Sequence, residues 1–166
     1  MTIVVITDIV KEMTGKVLQE IRQGKPFRQP EEEAFISVLL TADRLMQGLA
    51  AALKLHGLSA TQYNVLRILR GAGADGLACG EIAGRMITRD PDITRLLDRL
   101  EAHGLVARSR EKKDRRVIVT RITEDGLKMV KELDAPVKRL HGEQLGHMGD
   151  KKLHSLVELL DLARRA

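Results

Sequence analysis

Asp90-Pro91-Asp92-Ile93-Thr94-Arg95-Leu96-Leu97-Asp98-Arg99-Leu100-Glu101-Ala102-His103-Gly104 runs directly into Leu105-Val106-Ala107-Arg108-Ser109-Arg110, and this stretch decides the fold. Asp90 to Asp92 can open a helix, with Pro91 in the first turn, where its missing N–H costs nothing. Ile93, Leu96, Leu97 and Leu100 fall on one narrow arc of that helix and must face a core. Gly104 stops it. A basic hairpin then follows: a strand over 105–110, a charged tip from Glu111 to Arg115, and a return strand Arg116-Val117-Ile118-Val119-Thr120. A short helix with a polar outer face, joined to an arginine-rich ribbon, matches duplex DNA. The helix can enter a major groove while the ribbon reaches phosphate or the next minor groove.

The outer arc of the 90–103 helix carries Pro91, Thr94, Arg95, Asp98, Arg99 and Ala102. Thr94 can touch a thymine methyl or a phosphate, and Arg95 can donate two bonds to guanine. Arg99, one turn further on, suits a phosphate. For an isolated helix the plainer reading is a solvated face with Asp98 paired to Arg95 or Arg99. Beside the ribbon, the DNA reading is preferred. At the tip, Lys112, Lys113, Asp114, Arg115 and Arg116 form the basic end. An arginine there can enter a narrow minor groove, where the potential is most negative, and Asp114 can brace Arg116. The bland alternative is a surface hairpin with a routine ion pair of little energetic weight.

The charge distribution agrees. Residues 105–121 hold seven cations against Glu111 and Asp114, a local excess equal to the whole-chain net charge of +5. Such concentration points to a polyanion. Aromatic residues make up 2% of the chain, namely Tyr63, Phe27 and Phe35. Single strands are usually gripped by stacking bases on exposed rings, so duplex is favoured.

Outward from this unit, apolar residues recur at helical spacing over 5–23 (Ile6, Ile9, Val10, Met13, Val17, Leu18, Ile21) and over 31–55. Ser59 is placed to cap a helix that buries Tyr63, Val65, Leu66 and Leu69 and stops near Gly71. A short helix over 79–87 places Ile82, Ala83 and Met86 inside. Thr123-Glu124-Asp125 caps a helix over 123–145, and Asp150 caps a last one over 150–164. The fold class read from this order is mainly α with a small β-hairpin wing: a winged helix-turn-helix plus a helical dimerisation region. The terminal helices have broad apolar faces, and pairing with a second copy is the simplest way to cover them. The interface residues expected are Ile6, Ile9, Met13, Val17, Leu153, Leu156, Val157 and Leu160.

Other chemistry has little support in the sequence. The start of the chain lacks a basic segment and Asp8 interrupts its apolar run, so no signal peptide is expected. No stretch reads as a membrane span, and the single Cys79 fits a reducing cytoplasm. Cys79 lies near a helix start, where a thiol can become reactive, but a small residue filling that position is the preferred reading. His141, His147 and His154 are six and seven residues apart and lack zinc-ligand spacing, and His103 suits a helix cap. No catalytic constellation, P-loop or dinucleotide fingerprint is present, so neither an enzyme nor a cofactor is expected.

Residues 58–130 resemble the multiple-antibiotic-resistance regulator (MarR) family. The resemblance rests on Leu58-Ser59-Ala60-Thr61-Gln62-Tyr63-Asn64-Val65-Leu66-Arg67-Ile68-Leu69, on Ile93 through Val106, on Asp114-Arg115-Arg116 and on Ile122-Thr123-Glu124-Asp125-Gly126. With flanking helices it covers about 31–164. It implies a homodimeric winged-helix transcription regulator, usually a repressor, released from DNA by a small ligand or by oxidation. It implies recognition by the 90–103 helix and minor-groove insertion of Arg116 braced by Asp114. The division it suggests is an N-terminal helical extension over 1–30 and a family domain over 31–166, with the winged unit at 58–122 and dimerisation helices at 31–55 and 123–164. The rival from another class is a helical interaction module whose wing docks on an acidic protein.

Overall fold

A computed structural model describes residues 17–88, 92–111 and 116–165. The chain divides into two compact units, 1–47 and 48–166. In the first, residues 17–20 form a helical turn that ends in a turn at 21–22, where Arg22 takes a φ of 54°. The expected helix over 5–23 therefore stops earlier than its apolar spacing suggested, and residues 5–16 lie outside the described set. Arg44 Nη2 meets Glu20 Oε2 at 3.0 Å within this unit.

Helix α1 (Pro30–Lys54) begins with proline at its first position and Glu31, Glu32 and Glu33 in its first turn, an arrangement that suits the free N–H groups there. By length and composition it could cross a membrane, which corrects the expectation that no stretch approaches a span. Asp43 and Arg44 stand near its middle, and its last turns enter the folded core through Leu49 and fully buried Leu53.

The second unit is built around α2 (Ala60–Ala72), α3 (Cys79–Arg85) and α4 (Ile93–Ala102). Ser59 caps α2 reciprocally: its Oγ accepts from Gln62 N at 3.1 Å while Gln62 Oε1 accepts from Ser59 N at 2.8 Å. Tyr63, Val65, Leu66 and Leu69 are buried, as their spacing predicts. In α3 only Ile82 is fully buried, with Met86 packed at the core edge.

Three short strands form an antiparallel sheet in the order β1-β3-β2, with β1 Leu77–Ala78, β2 Val106–Arg110 and β3 Ile118–Ile122. The sequence reading saw a two-stranded wing; β1 adds the third strand by pairing Leu77 with Thr120 and Ala78 with Val119. The return strand starts two residues later than expected. Arg116 lies in a turn; Glu111 N–H then donates to Val117 O at 2.8 Å across the hairpin, and Arg110 faces Ile118.

Helix α5 (Glu124–Leu145) follows at once. Thr123 Oγ1 accepts from Gly126 N at 3.1 Å and donates to Gly104 O at 2.7 Å, while Thr123 N–H donates to Leu105 O at 3.1 Å. This knot joins the end of α4, the end of β3 and the start of α5. Gly126 is required there, because a Cβ would run into the Leu105 carbonyl and lie 2.7 Å from Ile122 Cγ1. Val130, Leu133 and Val137 of α5 complete the core shared with Leu97, Leu100 and Val106. The last helix, α6 (Gly149–Ala163), starts one residue before Asp150. Asp150 therefore sits in its first turn and does not cap it; the preceding Met148 makes no side-chain cap.

Candidate nucleic-acid interface

Helix α4 starts at Ile93, later than the sequence suggested, because Asp92 takes the cap: its Oδ1 accepts from Arg95 N at 3.3 Å. Pro91 lies outside the described residues. Leu96, Leu97 and Leu100 are buried, Ile93 is partly so, and Thr94, Arg95, Asp98, Arg99 and Ala102 are exposed on the other side. Packing of the apolar arc thus fixes which side chains meet solvent. His103 takes the C-cap, with its Nδ1 2.6 Å from Arg99 O, and Gly104 follows at φ +71°. Only glycine takes that conformation without strain, so the chain can turn there straight into β2.

Arg95 Nε lies 3.1 Å from Asp92 Oδ2, with its side chain 77% exposed. An exposed pair of this kind contributes little and can be exchanged for a better partner. Asp98 does not pair with Arg95 or Arg99, as the solvated-face reading would have it. Asp98 Oδ1 instead receives Arg108 Nη2 from β2 at 2.6 Å. Glu101 Oε2 takes Arg108 Nε at 2.8 Å and Nη2 at 2.6 Å, and Glu101 Oε1 takes the Arg108 backbone N–H at 3.0 Å. These bonds from Arg108 hold the Glu101 carboxyl below the usual carboxylate range, and Glu101 raises the Arg108 guanidinium further.

Among the described wing cations, Arg108 and Arg121 are tied to other parts of the protein. Besides Arg108, Arg121 donates from Nε to Ala74 O at 3.0 Å and from Nη1 to Ser109 Oγ at 2.8 Å. Counting charges along the sequence could not separate these from outward cations, because the separation depends on hairpin register. Arg110 is exposed at the end of β2, and Arg116 is exposed in the turn before β3. Lys112, Lys113, Asp114 and Arg115 lie outside the described residues.

Asn64, which the sequence reading did not single out, accepts from Ile87 N at 3.1 Å and so ties α2 to the segment leading toward α4. Arg70 Nη1 donates to both oxygens of Asp134, at 3.0 and 2.8 Å, joining α2 to α5. Arg70 holds the Asp134 carboxyl below its ordinary range. Cys79 is half-buried at the first position of α3 and packs at the core edge. Among the described residues no group of three or more His, Cys, Asp or Glu side chains is placed to hold a metal ion.

Of the residues expected to pair copies, Ile6, Ile9 and Met13 lie outside the described set and Val17 is half-buried in its own unit. On α6, Leu153, Leu156 and Leu160 are half-buried, while Val157 is 58% exposed and Leu159 and Leu162 are each 64% exposed. On α1, Phe35 is 63% exposed, and Val38, Leu39 and Met46 are also exposed.

A three-helix unit with its third helix presented beside a basic β-ribbon defines a winged helix-turn-helix. The MarR family profile matches residues 58–118. A solved MarR transcription factor from Planctomyces limnophilus is 41% identical and superposes with a TM-score of 0.64, covering 82% of this chain and 98% of that one. CouR from Rhodococcus jostii, solved bound to p-coumaroyl-CoA, is 25% identical with a TM-score of 0.68, covering 81% and 93%. Two characterised relatives are each 28% identical. They are the transcriptional activatory protein BadR of Rhodopseudomonas palustris, covering 79% of this chain and 78% of the relative, and the transcriptional repressor MdtR of Bacillus subtilis, covering 71% and 75%. The chain belongs to the MarR family of DNA-binding transcriptional regulators.

Proposed function

We propose that this chain is a sequence-specific, double-stranded DNA-binding regulator that acts as a homodimer on a near-palindromic operator. The observation that carries this reading is the exposed face Thr94-Arg95-Arg99 of α4, packed from behind by Leu96, Leu97 and Leu100 and tied to the wing through Arg108. Arg95 reads a guanine edge in the major groove, Thr94 meets a thymine methyl or phosphate, and Arg99 meets phosphate. Lys112, Lys113, Arg115 and Arg116 line the wing, with Arg116, braced by Asp114, entering the minor groove.

Homodimerisation is supported by exposed apolar side chains on α1, Phe35 and Leu39 among them, and separately on α6, Val157, Leu159 and Leu162. In this reading the family domain spans 31–166, residues 1–30 are a helical extension, and Ile6, Ile9, Met13 and Val17 add to the interface. Two copies related by a two-fold axis place two recognition helices about one turn of DNA apart. A repressor released by a small molecule fits the relatives, since MdtR is named a repressor and CouR holds an acyl-CoA thioester. Such a ligand acts by binding the arrangement that does not fit DNA better than the one that does.

Selection from a random duplex library tests the reading. Recovered sequences should share two inverted half-sites whose centres lie roughly 10 base pairs apart. Recovery of unrelated sequences would contradict a sequence-specific dimer.

A further inference from the structure

Arg108, on the wing, has a side chain 26% exposed, against 77% for Arg95 on α4. It lies at the centre of β2, opposite Thr120 of β3. Its guanidinium bridges Asp98 and Glu101, which lie three residues apart on one side of α4. Its main-chain N–H is held by the same Glu101 carboxylate. Side chain and backbone of one strand residue are thus fixed to one helix.

We propose that Arg108 is a positioning residue that sets the wing against the recognition helix and screens two carboxylates of α4 from the DNA phosphates. The inference rests on the DNA-binding reading above. Its physical basis is leverage. A five-residue strand is roughly 16 Å long, so a pivot of about 10° at its base moves the ribbon tip by about 3 Å, enough to lose a hydrogen bond. A wing held before binding also loses less freedom when DNA arrives. Without Arg108, Asp98 and Glu101 would present two uncompensated negative charges beside Arg95 and Arg99.

Glu101→Ala separates this role from simple electrostatics, because the two predict opposite signs. Removing a negative charge from a DNA-facing helix should tighten binding if charge alone matters. Loosening the wing should weaken it. Affinity for the selected duplex is measured at several salt concentrations for the wild type, Glu101→Ala and Arg108→Gln. Hydrogen exchange of the β2 amides is followed in each free protein. The expected result is binding about three- to tenfold weaker in both variants, the size of a partly exposed ion-pair network. The salt slope for Arg108→Gln should match the wild type, and exchange at the Arg108 amide in Glu101→Ala should be faster.

Tighter binding by Glu101→Ala would overturn the proposal. So would a salt slope for Arg108→Gln reduced by about 0.9, the signature of a lost phosphate contact. If the wild type binds no duplex, the DNA reading fails. Exchange in the free proteins then decides separately whether Glu101 holds the wing, and unchanged exchange overturns that as well.

Discussion

Replacing Gly126 with alanine should be one of the most damaging single-methyl changes in this protein. The new Cβ would collide with the Leu105 carbonyl and lie 2.7 Å from Ile122 Cγ1 and 3.2 Å from the Leu105 carbonyl carbon. Two of these neighbours are backbone, so relief requires the start of α5 to move away from the end of α4. Overpacking of this sort costs about 1–3 kcal/mol. Shifting the helix start also strains the bond from Gly126 N–H to Thr123 Oγ1, a cap contributing about 1 kcal/mol. The gain from alanine's helix preference is below about 1 kcal/mol, leaving a net loss of about 2–3 kcal/mol. Gly84→Ala is the matched control. It adds the same methyl to α3, where no atom of the described residues outside the helix's own backbone lies within 4 Å, and should be neutral or stabilising by up to about 1 kcal/mol. Urea unfolding of both variants at one protein concentration measures the difference. A Gly126→Ala stability within about 0.5 kcal/mol of wild type would refute the reasoning about the Thr123 knot.

Arg95→Ala should cost about 1–3 kcal/mol on the selected duplex and relax preference at one base position; an equal loss on random DNA would make Arg95 a phosphate contact. Arg116→Ala should weaken binding by no more than about 3 kcal/mol and flatten the salt slope, and an unchanged affinity would remove the wing tip from the interface. The Arg70–Asp134 pair gives a pH signature. A carboxyl held below its unfolded value contributes stability that is whole above that value and is lost as pH falls through the lower folded value. The stability advantage of wild type over Asp134→Asn should therefore be constant near neutrality and disappear below the ordinary value of 3.8. An advantage that persists in strong acid would contradict the ion pair.

Local signals were legible in the sequence. Ser59 and Thr123 announce helix starts because their hydroxyls satisfy N–H groups two or three residues away, a short-range requirement. The buried arc of α4 follows from periodicity alone, and the outward placement of Thr94, Arg95 and Arg99 follows from it. What the sequence hid depends on long-range pairing. Strand β1 is two residues long, too short for a pattern, and exists because β3, some forty residues later in the chain, offers it a free edge. The role of Arg108 needs the hairpin register and the approach of β2 to α4, so it looked like one more cation. Asp92 rather than Asp90 caps α4, since two aspartates flank Pro91 and local preference does not choose between them.

This winged unit should bind one duplex sequence specifically. Fluorescence anisotropy with the duplex upstream of its own gene, at two salt concentrations and against random competitor, tests it most directly. Binding should be tight, weaken with salt and survive competitor. Binding abolished by the random competitor, or absent at low salt, would contradict specific recognition of that duplex.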